Sequence, residues 1–497
     1  MLKDLLKKIF FICLVVYICS SCNAVKRVAD SDHLLVENSF IVNGKSNTSE
    51  ALSKLSFQNK NTTIFGFPLR LHIYNLARPN KDSIFEAWLS KRPKRKQRLI
   101  NKFSKKQLNQ IKKSSLGLNG WLKKTGEAPS ILDSLRIKKT KLNLERYYFS
   151  KGWFDRKIDY TVDTLGNKRA TLSYNIETGQ PYNIRNISKE IKTPILDTLY
   201  EKVKTESAII KEKQFDIVNF KEERNRLTSH FRNSGVYHFS QDYVSFENDT
   251  INTNHNVDVK INIPNRVIRT QDSTTREPFK IYRIKEVNIF TDASFKNRSN
   301  STPKKTATFD NFNFYNYNTL KYRPKAITNS VLINQGDLYS DLDKTRTYSY
   351  LSQLNAFKYP NIEYVENVLD TTLTANIYLT PRKKYGLSFD VNVSQSNIQK
   401  IGFSFSTGLV IRNIFRGAET LEISALGAIG ASKDGAKSED QFFDINELGA
   451  DIKLNIPRLF FPFNTEKIIP KYMSPTTQLS TGFTSQKNIG LDKRTLN

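Results

Sequence analysis

The feature that most constrains this chain lies in its last hundred or so residues. From Tyr385 to Ser394 apolar and polar residues alternate without a break, with Leu387, Phe389, Val391 and Val393 on one face and Ser388, Asp390, Asn392 and Ser394 on the other. A period of two sends successive side chains to opposite faces of a strand. One such strand would also suit a half-buried soluble sheet, but four more follow. Ile401–Val410 sets Phe403 and Phe405 among serines, and Leu421–Ile429 places Leu421, Ile423, Ala425 and Ile429 on one side. Glu447–Ile456 alternates Leu448, Ala450, Ile452, Leu454 and Ile456 with Glu447, Gly449, Asp451, Lys453 and Asn455, and Thr477–Ser485 makes a fifth. Strands of about 9–11 residues, apolar outward and polar inward, form the pattern of a transmembrane β-barrel. A soluble β-sandwich is the alternative.

Closure adds a second constraint. An open edge in hydrocarbon leaves backbone groups unpaired, each costing several kcal/mol, and the smallest bacterial barrels need about eight strands. Five strands cannot close. Residues 385–497 are therefore expected to be the N-terminal part of an antiparallel transmembrane barrel, truncated within it. Leu459-Phe460-Phe461-Pro462-Phe463 would sit in an interfacial aromatic girdle.

The start of the chain reads as a processing segment. Lys3, Lys7 and Lys8 precede an apolar run from Ile9 to Cys19, too short and wrongly flanked to remain as a spanning helix. Ser20-Ser21-Cys22-Asn23 resembles a bacterial lipobox, with Cys19 where a leucine is usual. Residues 1–21 are read as a lipoprotein signal peptide, Cys22 as the lipidated residue and 22–30 as a linker. A plain cleaved signal peptide is the other reading. Cys13, Cys19 and Cys22 are the chain's three cysteines. A disulfide, zinc-thiolate site or thiol nucleophile further along is therefore excluded, and the fold must rest on ordinary cores.

The formal net charge of +29 would suit nucleic acid, but an export signal sends the chain where no such partner exists. The densest charge lies in Lys91–Lys113, with eleven Lys or Arg and no acid, and Leu99, Ile100, Phe103, Leu108 and Ile111 fall at mostly helical spacing. Lys91, Arg92, Lys94, Arg95, Lys96 and Arg98 open this basic surface, part of an insertion over 91–124. A basic amphipathic helix facing anionic lipid or an acidic partner fits the pattern. A solvated helix face fits it equally.

The middle of the chain is organised by repeats. Pro181-Tyr182-Asn183-Ile184-Arg185-Asn186-Ile187 and Pro278-Phe279-Lys280-Ile281-Tyr282-Arg283-Ile284 share Pro-aromatic-x-Ile-x-x-Ile, each opening a strand-like run. Within each unit, Leu144, Tyr148, Gly152 and Phe154 match Leu227, Phe231, Gly235 and Tyr237. Apolar residues four apart share a helix face, and a Gly just beyond suits a left-handed helix end. A looser third copy runs from Tyr348 to Phe357, with Ala356 in the glycine's place. Two strand candidates follow each helix: Lys157–Asp163 and Ala170–Glu177, Asp242–Glu247 and Val257–Ile263, Asn361–Val365 and Leu373–Leu379. Each unit reads β-α-α-β-β, an α+β module of about 80 residues, near the lower limit for an independent core. The modules are placed at 31–178, 179–264 and 278–382, with a polar loop expected near Asn297–Thr306 in the third.

These modules resemble POTRA domains, the polypeptide-transport-associated modules of Omp85 proteins. The helix–Gly–aromatic–strand order, the position beside a barrel, the Gly179-Gln180-Pro181-Tyr182 joint and the Tyr339-Ser340 stretch carry the resemblance. Asn413, Phe415 and Gly417 resemble the Asn-x-Phe-x-Gly turn of Omp85 barrels. A lipobox with three such modules is most similar to the lipoprotein form of the TamA branch found in Bacteroidetes-type bacteria. The resemblance implies a lipid-anchored outer-membrane assembly factor with its modules in the periplasm, whose clients are unfolded outer-membrane proteins. It also implies a TamB-like partner anchored in the inner membrane.

Catalytic signatures such as G-x-S-x-G, H-E-x-x-H and the P-loop do not occur. Of His33, His72, His230, His238 and His255, no pair has metal-ligand spacing on a helix, and His230 and His238 suit structural roles. No cofactor is called for. The expected function is physical work: clients add a strand to exposed module edges by main-chain pairing, then enter the bilayer at a seam formed by the strand of Leu387, Phe389, Val391 and Val393. A two-partner-secretion export pore and a structural periplasmic lipoprotein without a barrel are the alternatives.

Overall fold

The computed structural model describes residues 24–64, 66–79, 91, 98, 117, 119–270, 272–300, 302–367, 369–395, 399–432, 443, 445–462, 468–488 and 491–497. Two compact units divide the chain. One comprises Met1–Ser188, Ala208–Lys221 and Asn248–Val259, the other Lys189–Ser207, Glu222–Glu247 and Lys260–Asn497. The division runs through residues 179–264 rather than along their limits.

The first module contains β1 (Leu34–Val42), β2 (Lys45–Ser46), α1 (Glu50–Leu55), α2 (Leu69–Leu76), α3 (Ser134–Ser150), β3 (Lys157–Leu165) and β4 (Arg169–Glu177). Its sheet has the order β2-β1-β4-β3, with β1 parallel and β3 antiparallel to β4. Asp133 starts α3 by accepting hydrogen bonds from the amides of Leu135 and Arg136, satisfying two donors that helix geometry leaves unpaired. The helix presents Ile137, Leu144 and Tyr148 to Leu172, Tyr174 and Ile176 of β4. Each such buried aliphatic chain contributes about 1.5–3 kcal/mol.

The second module contains β5 (Asn183–Ile191), α4 (Pro194–Val203), α5 (Ile217–Asn233), β6 (Ser245–Asp249) and β7 (Asn256–Ile263), with sheet order β5-β7-β6. Val257, Val259, Ile261 and Ile263 are all buried while their neighbours are only partly so, the period-two signature of a strand covered on one face. A short 3-10 turn at Gln241–Tyr243 delays β6 by three residues relative to the expected strand. A small hairpin, β8 (Arg266–Arg269) with β9 (Thr274–Glu277), precedes the third module.

The third module contains β10 (Arg283–Phe290), α6 (Phe295–Asn300), β11 (Lys304–Phe309), β12 (Phe312–Asn316), α7 (Pro324–Thr328), α8 (Asp341–Gln353), β13 (Phe357–Asn367) and β14 (Thr372–Pro381), in the order β11-β12-β10-β14-β13. The stretch near Asn297–Thr306 is thus not a loop. It carries a helical turn and the start of a hairpin, and β12 lies parallel to β10 and occupies that side of the sheet. Alternation of Phe312 and Phe314 with Asn313 and Tyr315 is the signal that a polarity-based reading passes over.

Two further corrections concern the repeats. The third helix ends in a left-handed residue at Asn355 (φ 54°), not at Ala356, which is buried. The repeat therefore runs through Thr347, Leu351 and Asn355, one residue earlier than the sequence alignment, and Thr347 and Leu351 are fully buried as Leu227 and Phe231 are. Asn tolerates the left-handed region better than Ala does. The proline-based alignment of the two strand starts is likewise displaced. Tyr182 corresponds to Tyr282, not Phe279, because each tyrosine amide donates to a helix-end glycine carbonyl, Gly152 or Gly235.

After the modules come six antiparallel strands in sequential order: β15 (Tyr385–Ser394), β16 (Gln399–Arg412), β17 (Thr420–Ser432), β18 (Ile445–Ile456), β19 (Thr477–Asn488) and β20 (Leu491–Leu496). β20 adds a sixth strand to the five expected, and Leu491-Asp492-Lys493-Arg494 is too polar to have signalled it. The expected class, β-α-α-β-β modules leading into an antiparallel strand set, is the observed one. No helix among the described residues is long and apolar enough to cross a membrane.

Gly152 has φ +86°, and a Cβ there would lie 2.8 Å from the Phe215 carbonyl oxygen. Gly152→Ala should destabilise by about 2–3 kcal/mol, whereas Asn355→Ala should cost about 1 kcal/mol, as read by urea unfolding.

Candidate functional site

The register of the six-stranded sheet carries the apolar alternation across β15 to β18, with Leu479 and Phe483 extending it in part to β19. Leu387 pairs with Leu409, Leu409 with Ile423 and Ile423 with Ile452. One row along, Tyr385, Ile411, Leu421, Leu454 and Leu479 are consecutive partners. The opposite face runs Ser388, Gly408, Ser424, Asp451 and Gly482, and places Glu422 beside Lys453. Leu387 is 79% exposed and Phe389 70%, and Val391, Val393, Phe405, Ile423, Leu448, Ile452, Leu479 and Phe483 are exposed as well. From the Val391 row to the Tyr385 row the face spans six residues, about 20 Å along the strand, and across β15 to β18 it covers roughly 400 Å². That lies within the range of about 300–600 Å² for the largest apolar patch on a soluble monomer. β15 is an end strand of this sheet, so its outer side has no strand partner among the described residues.

The connection from β16 to β17 fixes the sheet to the third module. Asn413, Arg416 and Ala418 all take positive φ. Asn413 Oδ1 accepts from the Ala418 amide at 3.1 Å, and its Nδ2 donates to the Lys321 carbonyl at 2.9 Å. Arg416 donates to the Leu320 carbonyl at 3.0 Å and accepts the Arg323 amide on its own carbonyl at 2.7 Å. Ala418 enters the third module's core beside the Leu351 and Ile377 cluster. Glu419, 1% exposed, accepts from the Gly417 amide at 2.8 Å and from Arg458 at 2.9 Å. Burial would raise its pKa, but these hydrogen bonds and the Arg458 charge outweigh burial and hold it low. A Cβ on Gly417 would lie 2.2 Å from Glu419 Oε1, which accounts for a glycine there, while Phe415 points outward and is exposed. Sequence reasoning picked out Asn413 and Gly417 but missed Glu419, whose carboxylate gives no periodic signal.

Two joints share one backbone ladder. In the first, the Tyr182 amide donates to Gly152 O (2.9 Å) and Tyr182 O accepts from the Phe215 amide (2.8 Å). Phe154 packs edge-on to Tyr182 and Phe215, and Lys151 pairs with Asp216 at 2.5 Å. In the second, Tyr282 donates to Gly235 O and accepts from the Tyr339 amide, both at 2.9 Å. Tyr237 packs edge-on to Tyr282, Tyr339 and Tyr364, and Arg232 donates to Asp341 and to the Tyr339 hydroxyl, both at 2.6 Å. His238 Nε2 lies 2.9 Å from Glu366, which also accepts from the Tyr282 hydroxyl. Burial, reinforced by Arg266, holds His238 below its ordinary pKa against the pull of Glu366. For Asp341 and Glu366 burial pushes upward, but hydrogen bonds from Arg232 and Tyr339, and from Tyr282 and His238, hold each low.

Of the basic surface, Lys91 and Arg98 are described and both are exposed, while Arg92, Lys94, Arg95 and Lys96 lie outside the described residues, as do Cys22 and the leader. Among the described residues no group of His, Cys, Asp and Glu converges as a metal-ligand set.

The geometry defines a class: α+β modules coupled by glycine-anchored ladders and docked on an antiparallel sheet with one apolar and one polar face. No family model matches the chain, and no curated protein matches it. Among solved structures, similarity extends to BamA from Haemophilus ducreyi lacking POTRA domains 1-3, at 11% identity and TM-score 0.32, over 63% of this chain and 53% of that one. Haemophilus influenzae BamA POTRA3-5 is similar at 9% identity and TM-score 0.28, over 71% of this chain and 99% of that one. CdiB from Acinetobacter baumannii is similar at 9% identity and TM-score 0.26, over 64% and 57%. The chain thus spans about half the length of the first of these.

Acid should loosen the second joint in two stages. His238 sits below its ordinary 6.5, so its contribution is complete above that value and is lost as pH falls. Asp341 and Glu366 sit below 3.8 and 4.5, so theirs is lost only as pH falls through the lowered values. Hydrogen exchange of the 232–241 amides, corrected for intrinsic rate, should be flat above neutrality and accelerate in those two windows. Separately, Arg458→Ala leaves the buried Glu419 carboxylate without its guanidinium and should destabilise by about 3 kcal/mol in detergent thermal melts.

Proposed function

We propose that this chain is an outer-membrane assembly factor of the Omp85 superfamily, working by strand pairing and bilayer insertion rather than by bond chemistry. The single observation that carries the reading is the exposed apolar face of β15–β18, matched by a polar face behind it. Such a sheet has a favourable environment only where lipid meets one face and water the other. The free outer side of β15 then supplies a template: a client strand pairing there satisfies its backbone before its apolar side chains enter the hydrocarbon. The end strands β3, β6 and β13 of the module sheets offer the same pairing earlier in the route. In the third module the β10 side is already taken by β12, so the end strands there are β11 and β13.

The finer reading is the lipid-anchored TamA-like branch, with Cys22 as the anchor, the modules in the periplasm and a TamB-like partner at the first module. The basic residues from Lys91 to Arg98 suit an acidic partner or lipid surface.

Two substitutions one residue apart test the lipid-facing assignment. Ala425 is on the apolar face and Ser424 on the polar one. In outer membranes Ala425→Arg should cost about 2–4 kcal/mol and reduce the folded, carbonate-resistant fraction, while Ser424→Arg should be tolerated. Equal tolerance at both positions, with the chain extracted by carbonate, would leave a water-soluble sheet and refute the reading. A cysteine at Ser388 should cross-link to many nascent outer-membrane proteins. Cross-linking to a single secreted client would favour a dedicated export pore instead.

A further inference from the structure

The outer face of α3 carries a pattern that neither the core of the first module nor strand pairing uses. Ile137, Thr140, Leu144 and Tyr148 are the buried residues of this helix. Its exposed residues include Leu135, Lys139, Leu142, Arg146 and Phe149. Their spacing is four, three, four, three. Alternating steps of four and three lay side chains in one line along a helix, and this is the spacing of a coiled-coil seam. From Leu135 to Phe149 the line is about 21 Å long at helical rise. Phe57, also exposed, adds apolar surface beside it, with the Lys139 ammonium over its ring.

The repeats show that the module fold does not require this line. Matching Leu144 with Leu227 and Thr347 puts Glu222, Asn225, Ser229 and Arg232 at its last four positions on α5, and Leu342, Thr345, Ser349 and Ser352 on α8. Neither helix alternates apolar and basic residues there. A helix that needs only a solvated outer face is served by such polar residues. Three large apolar side chains held in one exposed line instead fit a second helix laid along them.

The positions between them say which helix. Lys139 and Arg146 sit in the seam itself, so a second copy of α3 would set cation against cation. The chain's own Lys91–Lys113 run, with eleven Lys or Arg and no acid, carries the same sign. A lipid surface is matched by a broad apolar arc, not by a line one side chain wide that cations interrupt. α3 holds five Lys or Arg against one acid, Glu145. Arg136 is paired with Asp133 and Lys141 with Asp159, both beside the seam rather than in it. Carboxylates on a facing helix would meet Lys139 and Arg146, and its apolar residues would cover Leu135, Leu142 and Phe149.

We propose that this seam docks an acidic amphipathic helix of a separate protein, with apolar residues recurring every seven and carboxylates between them. The first module alone carries the site, and the membrane assignment of β15–β18 does not enter into it.

The test uses the full chain in dodecyl maltoside micelles. Fluorescence anisotropy reads the binding of a labelled, designed helical peptide of about three heptads, with Leu at each apolar seam position and Glu at each position between. A second peptide carries Lys in place of Glu. The Glu peptide should bind roughly tenfold more tightly than the Lys peptide. K139E/L142N/R146S gives α3 the residues that α5 has at these places. It should weaken the Glu peptide roughly tenfold without moving the thermal melt. K139E/R146E should reverse the preference between the peptides. Phe149 is left intact because it packs on Phe154 at the first joint. Equal binding of the two peptides by the wild type would overturn the proposal, as would equal binding of the Glu peptide by wild type and K139E/L142N/R146S. Self-association in sedimentation velocity that the triple variant abolishes, without a peptide preference, would give the face to a second copy and overturn it. Retention of dioleoyl phosphatidylglycerol in native mass spectrometry that the triple variant loses, again without a peptide preference, would give the face to lipid and overturn it as well.

Discussion

Apolar burial follows two different rules along this chain, and the difference governs its architecture. In the modules a sheet is covered on one face by its own helices, so β4 and β14 bury every second residue. In β15–β18 the same alternation is present, but Leu387 and Phe389 on its apolar side stand exposed rather than covered. Hydrophobic transfer is worth roughly 25 cal/mol per Å², so a face of several hundred Å² left in water is a large standing cost. On the proposed membrane reading a bilayer would remove that cost without a protein partner, and the need for complete backbone pairing in hydrocarbon would favour a neighbour for β15.

The modules are joined by a main-chain ladder that both joints share, with side-chain contacts arranged around it. At both joints a tyrosine amide reaches a carbonyl freed by a left-handed glycine, and the tyrosine carbonyl is returned to an aromatic residue, Phe215 or Tyr339. Because the ladder is backbone, the side chains around it are free to differ. One joint adds Lys151 with Asp216, the other Arg232 with Asp341 and a His238–Glu366 pair. The first is tied by a compact ammonium, the second by a guanidinium that spans a hydroxyl and a carboxylate at once.

Where the third module meets the sheet the logic changes from backbone to buried charge. Glu419 is held by an amide and a guanidinium inside the docked turn, while Ala418 inserts into the module's core. Breaking that contact would leave a buried charge unpaired, so this connection is stiff for a reason that apolar packing alone would not give.

What the sequence determined by itself is whatever repeats with a fixed period. The alternation from Tyr385 onward gave five strands and their faces, because strand geometry allows a side chain only two directions. Spacing of four, closed by glycine, marked α3 and α5 and their ends at Gly152 and Gly235. Tertiary structure decided what has no period: that Asn355 rather than Ala356 takes the left-handed position, that Tyr182 matches Tyr282, that a polar-looking stretch holds part of a hairpin completing the third sheet, and that Glu419 is buried. Each of these depends on which distant carbonyl, guanidinium or strand a residue meets, and such partners are fixed only when the chain has folded.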